Sequence, residues 1–311
     1  WIRNKTLEKG IDKRNLDRVF DFILYDPEFS KSPQELDYPL DSYFKEEEVV
    51  SMRSAWENEE AIFVAIKGGS NQVNHNHLDL GSFVLDAFGV RWAEDIGAPN
   101  YNLPGFNFYR RRAEGHNTIV INPSEELEQS QHAFAKIKET ELNTKEPYAI
   151  VDLSKTYHRA IKSANSIVFN NSSRNGLKRG VKLIDNRNKV LIQDELYSPE
   201  PIDFWWFMHT KTEIEILENK KGAILKYNNK RLFAKIISPE EKASFSVMDA
   251  TYLPQTNLTH HELERDLDEY KKLTINMDNI GNLNLAVIFI PLKEKDNIPE
   301  IQMKINSLSE W

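Results

Sequence analysis

Residues 68–122 read GGSNQVNHNHLDLGSFVLDAFGVRWAEDIGAPNYNLPGFNFYRRRAEGHNTIVIN, and this stretch decides both the fold and the site. Within it, the hydrophobic Ser82–Leu85 is followed by a turn containing Gly89 and then by Val90–Asp95. Two short β-forming runs joined by a glycine-containing turn predict a β-hairpin. A hairpin folds its second arm back along its first, so we expect Asp95 to lie beside the residues near His77.

Three histidines flank this hairpin. If Asn74–Asp79 enters a strand, His75, His77 and Asp79 point to one face, because strand side chains repeat every second residue. A further strand, His116–Ile121, begins with another histidine. Two imidazoles and one carboxylate converging from three strands suit zinc, which commonly takes three ligands from the protein. An H-x-H pair is also common as a plain hydrogen-bonded pair, so spacing alone leaves both interpretations open.

The composition limits the classes of partner. The 311 residues are 40% hydrophobic and 28% charged, enough for one large domain or two small ones. The chain has no cysteine, which excludes a disulfide framework and thiolate metal sites. A net charge of −8 argues against nucleic acid as a partner, and an anionic polymer needs a local basic patch. No apolar run reaches the ~18 residues of a membrane span.

The pattern of turns predicts an all-β fold from residue 48 onward. Runs of β-forming residues alternate with turn signals at a spacing of roughly eight to twelve residues, which is typical of a large antiparallel two-sheet β-sandwich. We expect strands at residues 49–56, 61–67, 132–142, 148–157, 166–170, 180–185, 189–195, 204–209, 212–217, 223–227, 231–238, 244–250, 271–277 and 283–290.

Residues 1–47 differ from the rest of the chain. Apolar residues at positions 16, 19, 20, 23 and 24 follow helical spacing, which predicts one amphipathic helix within residues 12–24. Asp26-Pro27 ends it, and the prolines that follow indicate a linker.

Several segments together resemble the heparinase II/III-like polysaccharide lyases. They are NHNHLDLGSFVLD at residues 74–86, WAEDIG at 92–97, YNLPG at 101–105, RAEGHNTIVINP at 112–123 and FWWFMHT at 204–210. In that family a helical α/α-toroid precedes an antiparallel β-sandwich, and only the second part is similar to this sequence. The resemblance implies that residues 1–47 are the helical tail and linker of a missing N-terminal toroid, and that residues 48–311 form the sandwich domain.

The resemblance also implies an activity. Family members cleave acidic polysaccharides that contain uronic acid by β-elimination, and several hold zinc in the sandwich near the cleft. The family's metal ligands fall on His77, Asp95 and His116, and its active-site histidine falls on His75. A periplasmic or cell-envelope location is implied on the same ground. Because the cleft lies between toroid and sandwich, this chain is expected to supply one wall of it and to depend on the missing helical domain for activity.

β-Elimination needs groups that neutralise the uronate, remove the C5 proton and protonate the departing oxygen. A tyrosine near positive charge can perform both proton transfers. Tyr101 is the first candidate, because it lies in the family-like YNLPG segment, and Tyr109 is the second. The alternative for both is that they simply cover the edge of the sandwich.

Further residues are candidates for supporting roles. Arg110, Arg111 and Arg112 offer guanidinium groups suited to carboxylate and sulfate, although a triplet cannot point all three one way and a charge run is usually just solvated. Asn76 is a candidate polar wall residue of the substrate site. Asp79 is a candidate acceptor for a ligating imidazole. His209, on an aromatic strand, is interpreted as a hydrogen-bonded core residue.

Two other functions remain open at this point. One is a non-catalytic carbohydrate-binding sandwich, and the other is an unrelated metal-binding β-domain. The resemblance leaves open which uronic polymer is the substrate, whether cleavage is endo or exo, and the oligomeric state.

Overall fold

The structure, a computed structural model, describes residues 31–98, 108–157, 176–259, 264 and 267–311. The helix predicted within residues 12–24, the strand predicted at residues 166–170 and the candidate Tyr101 lie outside these ranges. Among the described residues, no helix has the length and apolar character needed to cross a membrane.

The described residues form sixteen β-strands joined by turns and short 3-10 segments. In chain order they are β1 (Ser42–Phe44), β2 (Val49–Arg53), β3 (Phe63–Lys67), β4 (Gly69–Ser70), β5 (Phe83–Ala87), β6 (Val90–Ala93), β7 (Ile119–Ile121), β8 (Phe134–Glu141), β9 (Tyr148–Asp152), β10 (Gly176–Ile184), β11 (Lys189–Thr210), β12 (Glu213–Ile216), β13 (Gly222–Tyr227), β14 (Lys230–Ser238), β15 (Phe245–Asp249) and β16 (Lys271–Lys293). The predicted all-β class is confirmed.

The strands form two antiparallel sheets in a sandwich-like arrangement. The small sheet has five strands in the order β1-β2-β3-β5-β6. The large sheet has eleven, in the order β12-β13-β14-β16-β11-β10-β9-β8-β4, with β15 pairing with β16 and β7 with β11. The candidate site therefore draws on both sheets, because its hairpin belongs to the small one and the strand after His116 to the large one.

Two long strands form the centre of the large sheet. β11 and β16 pair from Val190 opposite Phe289 to Thr210 opposite Lys271, whereas the sequence predicted two shorter strands for each. The register shifts twice between Tyr197 and Phe204, next to two prolines that have no backbone N–H to donate. An irregularity of this kind bends a strand without ending it, so the turn signals near residue 200 mark a bend.

Aromatic side chains join the two sheets in the core. Phe83 of the small sheet lies 5.9 Å from Trp206 and 6.3 Å from Phe289 between ring centroids, and the latter two rings belong to the large sheet. All three are at most 1% exposed. Each such side chain contributes on the order of 2–3 kcal/mol by leaving water, so this contact is a main source of adhesion between the sheets.

The β5–β6 hairpin forms as predicted. Its turn places Phe88 at φ 55° and Gly89 at φ 68°, the left-handed pair that a two-residue hairpin turn requires. The hairpin delivers Asp95 two residues after the end of β6.

One predicted strand is absent, and another begins later than predicted. Asn74–Asp79 is a loop in which His75 has φ 59°, so strand alternation does not place His75, His77 and Asp79 on one face. His116 likewise precedes its strand, following the 3-10 turn Ala113–Gly115. In both places local turn geometry prevails over the strand pattern.

Candidate functional site

The loop before β5, the end of the β5–β6 hairpin and the segment before β7 meet at three side chains, those of His77, Asp95 and His116. Nδ1 of His116 lies 3.3 Å from Oδ2 of Asp95. The rings of His77 and His116 lie 5.2 Å apart between centroids and are tilted by 42°. His116 is fully buried, whereas the Asp95 side chain is 41% exposed, so the cluster opens to solvent on the Asp95 side.

Backbone contacts fix the loops that carry these residues. Leu78 N–H donates to Arg111 O at 2.8 Å, which holds the His77 loop against the 3-10 turn Tyr109–Arg111. A Cβ on Gly115 would lie 2.1 Å from the Tyr109 carbonyl oxygen, so only glycine allows the chain to approach this closely before His116.

Asn117 anchors the segment next to His116. Its Nδ2 donates to Phe83 O at 2.9 Å and to Glu94 O at 3.1 Å, while its Oδ1 accepts from the backbone N–H of His209 at 2.6 Å. One amide therefore ties the hairpin to β11, and we assign Asn117 a positioning role.

The electrostatics of the cluster centre on the Asp95 carboxylate. Burial, reinforced by the charge of His116, lowers the pKa of His77 to about 4, so His77 is neutral at neutral pH with a lone pair available. Burial alone raises the pKa of Asp95, but the hydrogen bond and charge of His116 outweigh it and hold that pKa below its usual range. Burial lowers the pKa of His116, and the Asp95 carboxylate reverses this, leaving it raised.

Nδ1 of His116 faces the Asp95 carboxylate at 3.3 Å, whereas the buried Nε2 has no hydrogen-bond partner among the described residues. An unsatisfied buried nitrogen costs free energy, so a group that bonds to Nε2 would stabilise the fold. The donor set of two imidazoles and one carboxylate matches zinc in kind. Across the described ranges, no three or more histidine or carboxylate side chains are arranged to hold a metal ion as they stand.

The residues beside His77 have different surroundings. His75 is exposed and adopts its left-handed conformation on the outer turn of the loop. Asn76 donates from Nδ2 to Asn71 O, which fixes the loop internally. Both oxygens of Asp79 accept from Lys67 Nζ at 2.6 Å, and its role as an acceptor for an imidazole stays a prediction.

Tyr109 is fully buried, which contradicts its prediction as a catalytic residue in contact with substrate. Its hydroxyl shares a 2.8 Å hydrogen bond with Nε2 of His209, and its ring packs edge-on against Tyr252. Burial and then the charge of Glu114 raise its pKa, the opposite of what a tyrosine base requires. The prediction that His209 is a hydrogen-bonded core residue agrees with these contacts.

The three consecutive arginines separate into different roles. Arg112 is fully buried and its Nε donates to Oε1 of Glu128 at 2.7 Å, so the prediction that it contacts substrate is wrong. Arg110 and Arg111 are half-buried, and Arg110 also donates to the backbone oxygen of Ile96. Arg111 lies over the Phe108 ring at 5.7 Å. These two remain candidates for contact with an anionic ligand.

Residues 52–304 match the family model described as heparinase II/III-like, C-terminal. The chain belongs to this family. The match covers most of the sequence and both sheets, so the heparinase II/III-like domain includes all of the site residues described above. A comparison with curated proteins gives no significant match.

Solved structures agree with the heparinase II/III-like fold. A heparinase III gene product is similar with a TM-score of 0.62 and 15% identity, over 83% of this chain and 37% of that one. The heparan sulfate lyase HepC from Pedobacter heparinus is similar with a TM-score of 0.61 and 16% identity, over 83% of this chain and 37% of that one. At this identity the likeness shows the fold, and the chain spans little more than a third of the length of these relatives.

A buried ion pair beneath the heparinase II/III-like site escaped the sequence analysis. Arg179 of β10 lies opposite Asp194 of β11, and its Nε and Nη2 donate to the two carboxylate oxygens at 2.7 and 3.0 Å. Its Nη1 donates to Gly81 O at 2.8 Å and Asn117 O at 3.0 Å, which holds the segments on either side of the site. Arg179 and Asp194 stand at paired positions on either side of the β10–β11 turn, and opposite charges placed in this way around a hairpin turn are the signal that could have revealed the pair.

Lys272 is another buried cation, in addition to Arg112 and Arg179. It is fully buried, lies 4.3 Å from the Phe207 ring and donates from Nζ to Thr251 O at 2.7 Å. Burial lowers its pKa from the ordinary 10.5 to about 8.

Replacing Lys272 by methionine is expected to change how stability depends on pH. Between pH 8 and 10.5 the unfolded chain binds a proton at Lys272 that the folded chain does not, so the Lys272 contribution to stability rises with pH across that window. The free energy of unfolding of Lys272→Met relative to wild type should therefore fall by up to about 3 kcal/mol from pH 8 to 10.5. Urea denaturation at a series of pH values measures this.

The neighbouring Lys271→Met variant is the matched control, because Lys271 is exposed and pairs with Asp249 at the surface. A difference between Lys272→Met and wild type that stays constant with pH would contradict the buried, easily deprotonated lysine.

Proposed function

We propose that this domain forms one wall of the active site of a lyase that cleaves uronic-acid-containing acidic polysaccharides by β-elimination. The observation that carries the proposal is the exposed His75 beside the His77, Asp95 and His116 cluster, in a chain of the heparinase II/III-like family. Among the structural relatives, one is named a heparan sulfate lyase, so a heparan-type polymer is the first substrate to test and an alginate-type polymer the second.

In the proposed reaction a base removes the C5 proton of the uronate, and the electron pair forms a double bond between C4 and C5. The bond between C4 and the glycosidic oxygen breaks, and an acid delivers a proton to that oxygen. His75 is the group of this chain that can reach the substrate carboxylate, because it is exposed on a loop fixed from beneath by Asn76 and Leu78. An imidazole N–H there can donate a hydrogen bond that stabilises the charge developing on the carboxylate as the proton leaves.

The proton-transferring tyrosine is proposed to be Tyr101. The burial of Tyr109 supports this choice over the other candidate. Arg110 and Arg111 are proposed to contact the anionic polymer, since their partial exposure leaves the guanidinium groups within reach of solvent. Residues of an N-terminal helical domain are proposed to form the opposite wall.

His77, Asp95 and His116 are proposed to hold one zinc ion. Zinc there would supply a fixed positive charge and would satisfy one buried ring nitrogen of His116. The role of the three residues is to hold the loop of His75, the end of the hairpin and the start of β7 in one arrangement. We further propose that the protein works outside the cytoplasm, in the periplasm or cell envelope, where such polymers are met.

The experiment is a lyase assay with the full-length protein on heparan sulfate, heparin, chondroitin, hyaluronan and alginate. β-Elimination leaves a conjugated unsaturated uronate, so ultraviolet absorbance should rise with at least one uronic polymer and with no neutral glucan. Reducing ends that appear without this absorbance would indicate hydrolysis and would overturn the proposal. The absence of any cleavage across the panel would overturn it as well.

A further inference from the structure

A second cleft lies at the opposite end of the long strand β11 from the candidate site. It has a volume of about 710 Å³, within the range of ligand sites, and shares no residue with the His77 cluster. Its lining comes from four separate segments, namely residues 34–40, 54–56, 143–145 and 186–187. The β10–β11 turn forms one wall, whereas His209 near the candidate site lies at the other end of β11.

A buried ion pair assembles this cleft. Arg187 and Asp41 are paired by two hydrogen bonds of 2.7 Å, and both residues are buried. Arg187 also donates to the backbone oxygens of Arg53 and Thr144 at 2.6 Å, and Asp41 accepts from the N–H of Asn143 at 2.6 Å. One ion pair therefore binds all four segments, so the walls are fixed before any ligand arrives.

The turn that forms one wall is strained. Asp185, Asn186 and Arg187 have φ values of 54°, 53° and 70°, three consecutive non-glycine residues in the left-handed region. Such residues cost free energy and persist where surrounding contacts enforce them, often at functional sites. The Arg187 contacts enforce this turn, and the result is that the exposed Asn186 amide borders the cleft.

Two aromatic rings line the cleft. Tyr38 is 59% exposed, an unusual exposure for a large ring. Trp56 is partly exposed, and its Nε1 donates to the Tyr38 backbone oxygen at 3.1 Å. The Arg53 guanidinium lies 3.6 Å from the centre of the Trp56 ring, which fixes the orientation of the indole.

Few charged side chains line the cleft. The Arg187 charge is offset by Asp41, and beside them the lining contains one lysine, Lys145, and one carboxylate, Asp37. Fixed aromatic rings with amides around them suit sugar rings, which present apolar faces and hydroxyl edges. A densely sulfated chain needs several cations, and this lining does not provide them.

We propose that this cleft is a second saccharide-binding site, which holds a segment of polysaccharide with few charges while another part of the chain reaches the candidate active site. The ligand class rests on the proposed function, whereas the cleft and its fixed walls do not. Two sites on one polymer raise the local concentration of the chain at the site where it is cut.

Nuclear magnetic resonance of the indole N–H groups tests the proposal without any enzymatic assay. The Trp56 signal is identified as the one that disappears in Trp56→Phe. Titration with a hyaluronan hexasaccharide, which has carboxylates and no sulfate, should shift this signal in the 311-residue protein. A heparin hexasaccharide of the same length should bind no more tightly, because sulfates find few partners here.

The variant Tyr38→Ala with Asn186→Gly should weaken hexasaccharide binding about tenfold or more, the equivalent of one lost ring contact. Glycine accepts the left-handed turn, so the fold should be retained, and the melting temperature verifies this. Tyr227→Ala, which removes a ring that is 49% exposed elsewhere, should leave the shift and affinity unchanged.

The outcomes separate this proposal from the proposed lyase function. No Trp56 shift, or a shift that persists in the double variant, overturns the second site even if the full-length protein is an active lyase. Heparin binding more than tenfold tighter than hyaluronan overturns the assigned ligand class. A shift lost only in the double variant supports the site even if no lyase activity is found.

Discussion

Arg179→Met is expected to lower the free energy of unfolding by about 3–5 kcal/mol, because it leaves the buried Asp194 carboxylate without its counter-charge. Burial already raises the pKa of Asp194 with Arg179 in place. The substitution also removes the donor to the carbonyl oxygens of Gly81 and Asn117, so the loops around the candidate site should loosen. Chemical denaturation measures the first effect, and amide resonances of the two loops report the second.

A surface pair provides the matched control. Arg91 pairs with Asp86 with its side chain 46% exposed, and Arg91→Met should cost less than about 1 kcal/mol. The double variant Arg179→Met with Asp194→Leu should recover much of the lost stability, since no buried charge then remains unpaired. A loss for Arg179→Met as small as that for Arg91→Met would contradict the assigned role of the buried pair.

His75→Ala in the full-length protein is expected to reduce turnover by about 10²–10³-fold while leaving metal content and melting temperature unchanged. His77→Ala is expected to lose zinc and to lower the melting temperature, with activity falling as a consequence. The physical reason is position, since His75 is exposed on the outer turn while His77 lies against the buried His116. Lyase rate, elemental analysis and thermal unfolding of both variants give the comparison.

Two further variants sharpen this test. His75→Asn keeps a residue that tolerates the left-handed backbone, so its loss of activity reports the imidazole and not the turn. His132→Ala removes an exposed histidine outside the site and should change none of the three measurements. If His75→Ala loses the metal and His77→Ala keeps it, the two roles are reversed. If neither changes activity, this face of the domain is not catalytic.

The sequence predicted the features that depend on local geometry, such as the β5–β6 hairpin. The Phe88-Gly89 turn needs two left-handed residues, and a glycine between two β-forming runs is a direct signal of that geometry. Once the hairpin is placed, the approach of Asp95 to His77 follows from its length. The approach of His116 came from the family resemblance as well as from spacing.

The sequence was least informative for residues whose surroundings are set by tertiary partners. Tyr109 and Arg112 look like solvent-facing polar residues in a loop, yet both are fully buried because His209 and Glu128 from other parts of the chain satisfy them. Asp79 was predicted to accept from an imidazole, and the structure adds a second partner, Lys67 at the end of β3. No periodicity within one segment reveals such partners, since each pair joins residues that are distant along the chain or belong to different elements.

The strands form two separate hydrogen-bonded sheets, and this division affects how the protein unfolds. The core contact of Phe83 with Trp206, together with polar links such as Asn117, holds the small sheet to the large one. Partial unfolding therefore has a natural boundary between the sheets, and the small sheet can detach as a cooperative unit while the large one persists. Asp95 follows the small sheet and His116 leads into the large one, so the cluster exists only while the two sheets are docked. Any ion that binds the cluster would therefore stabilise the docked sheets against partial unfolding.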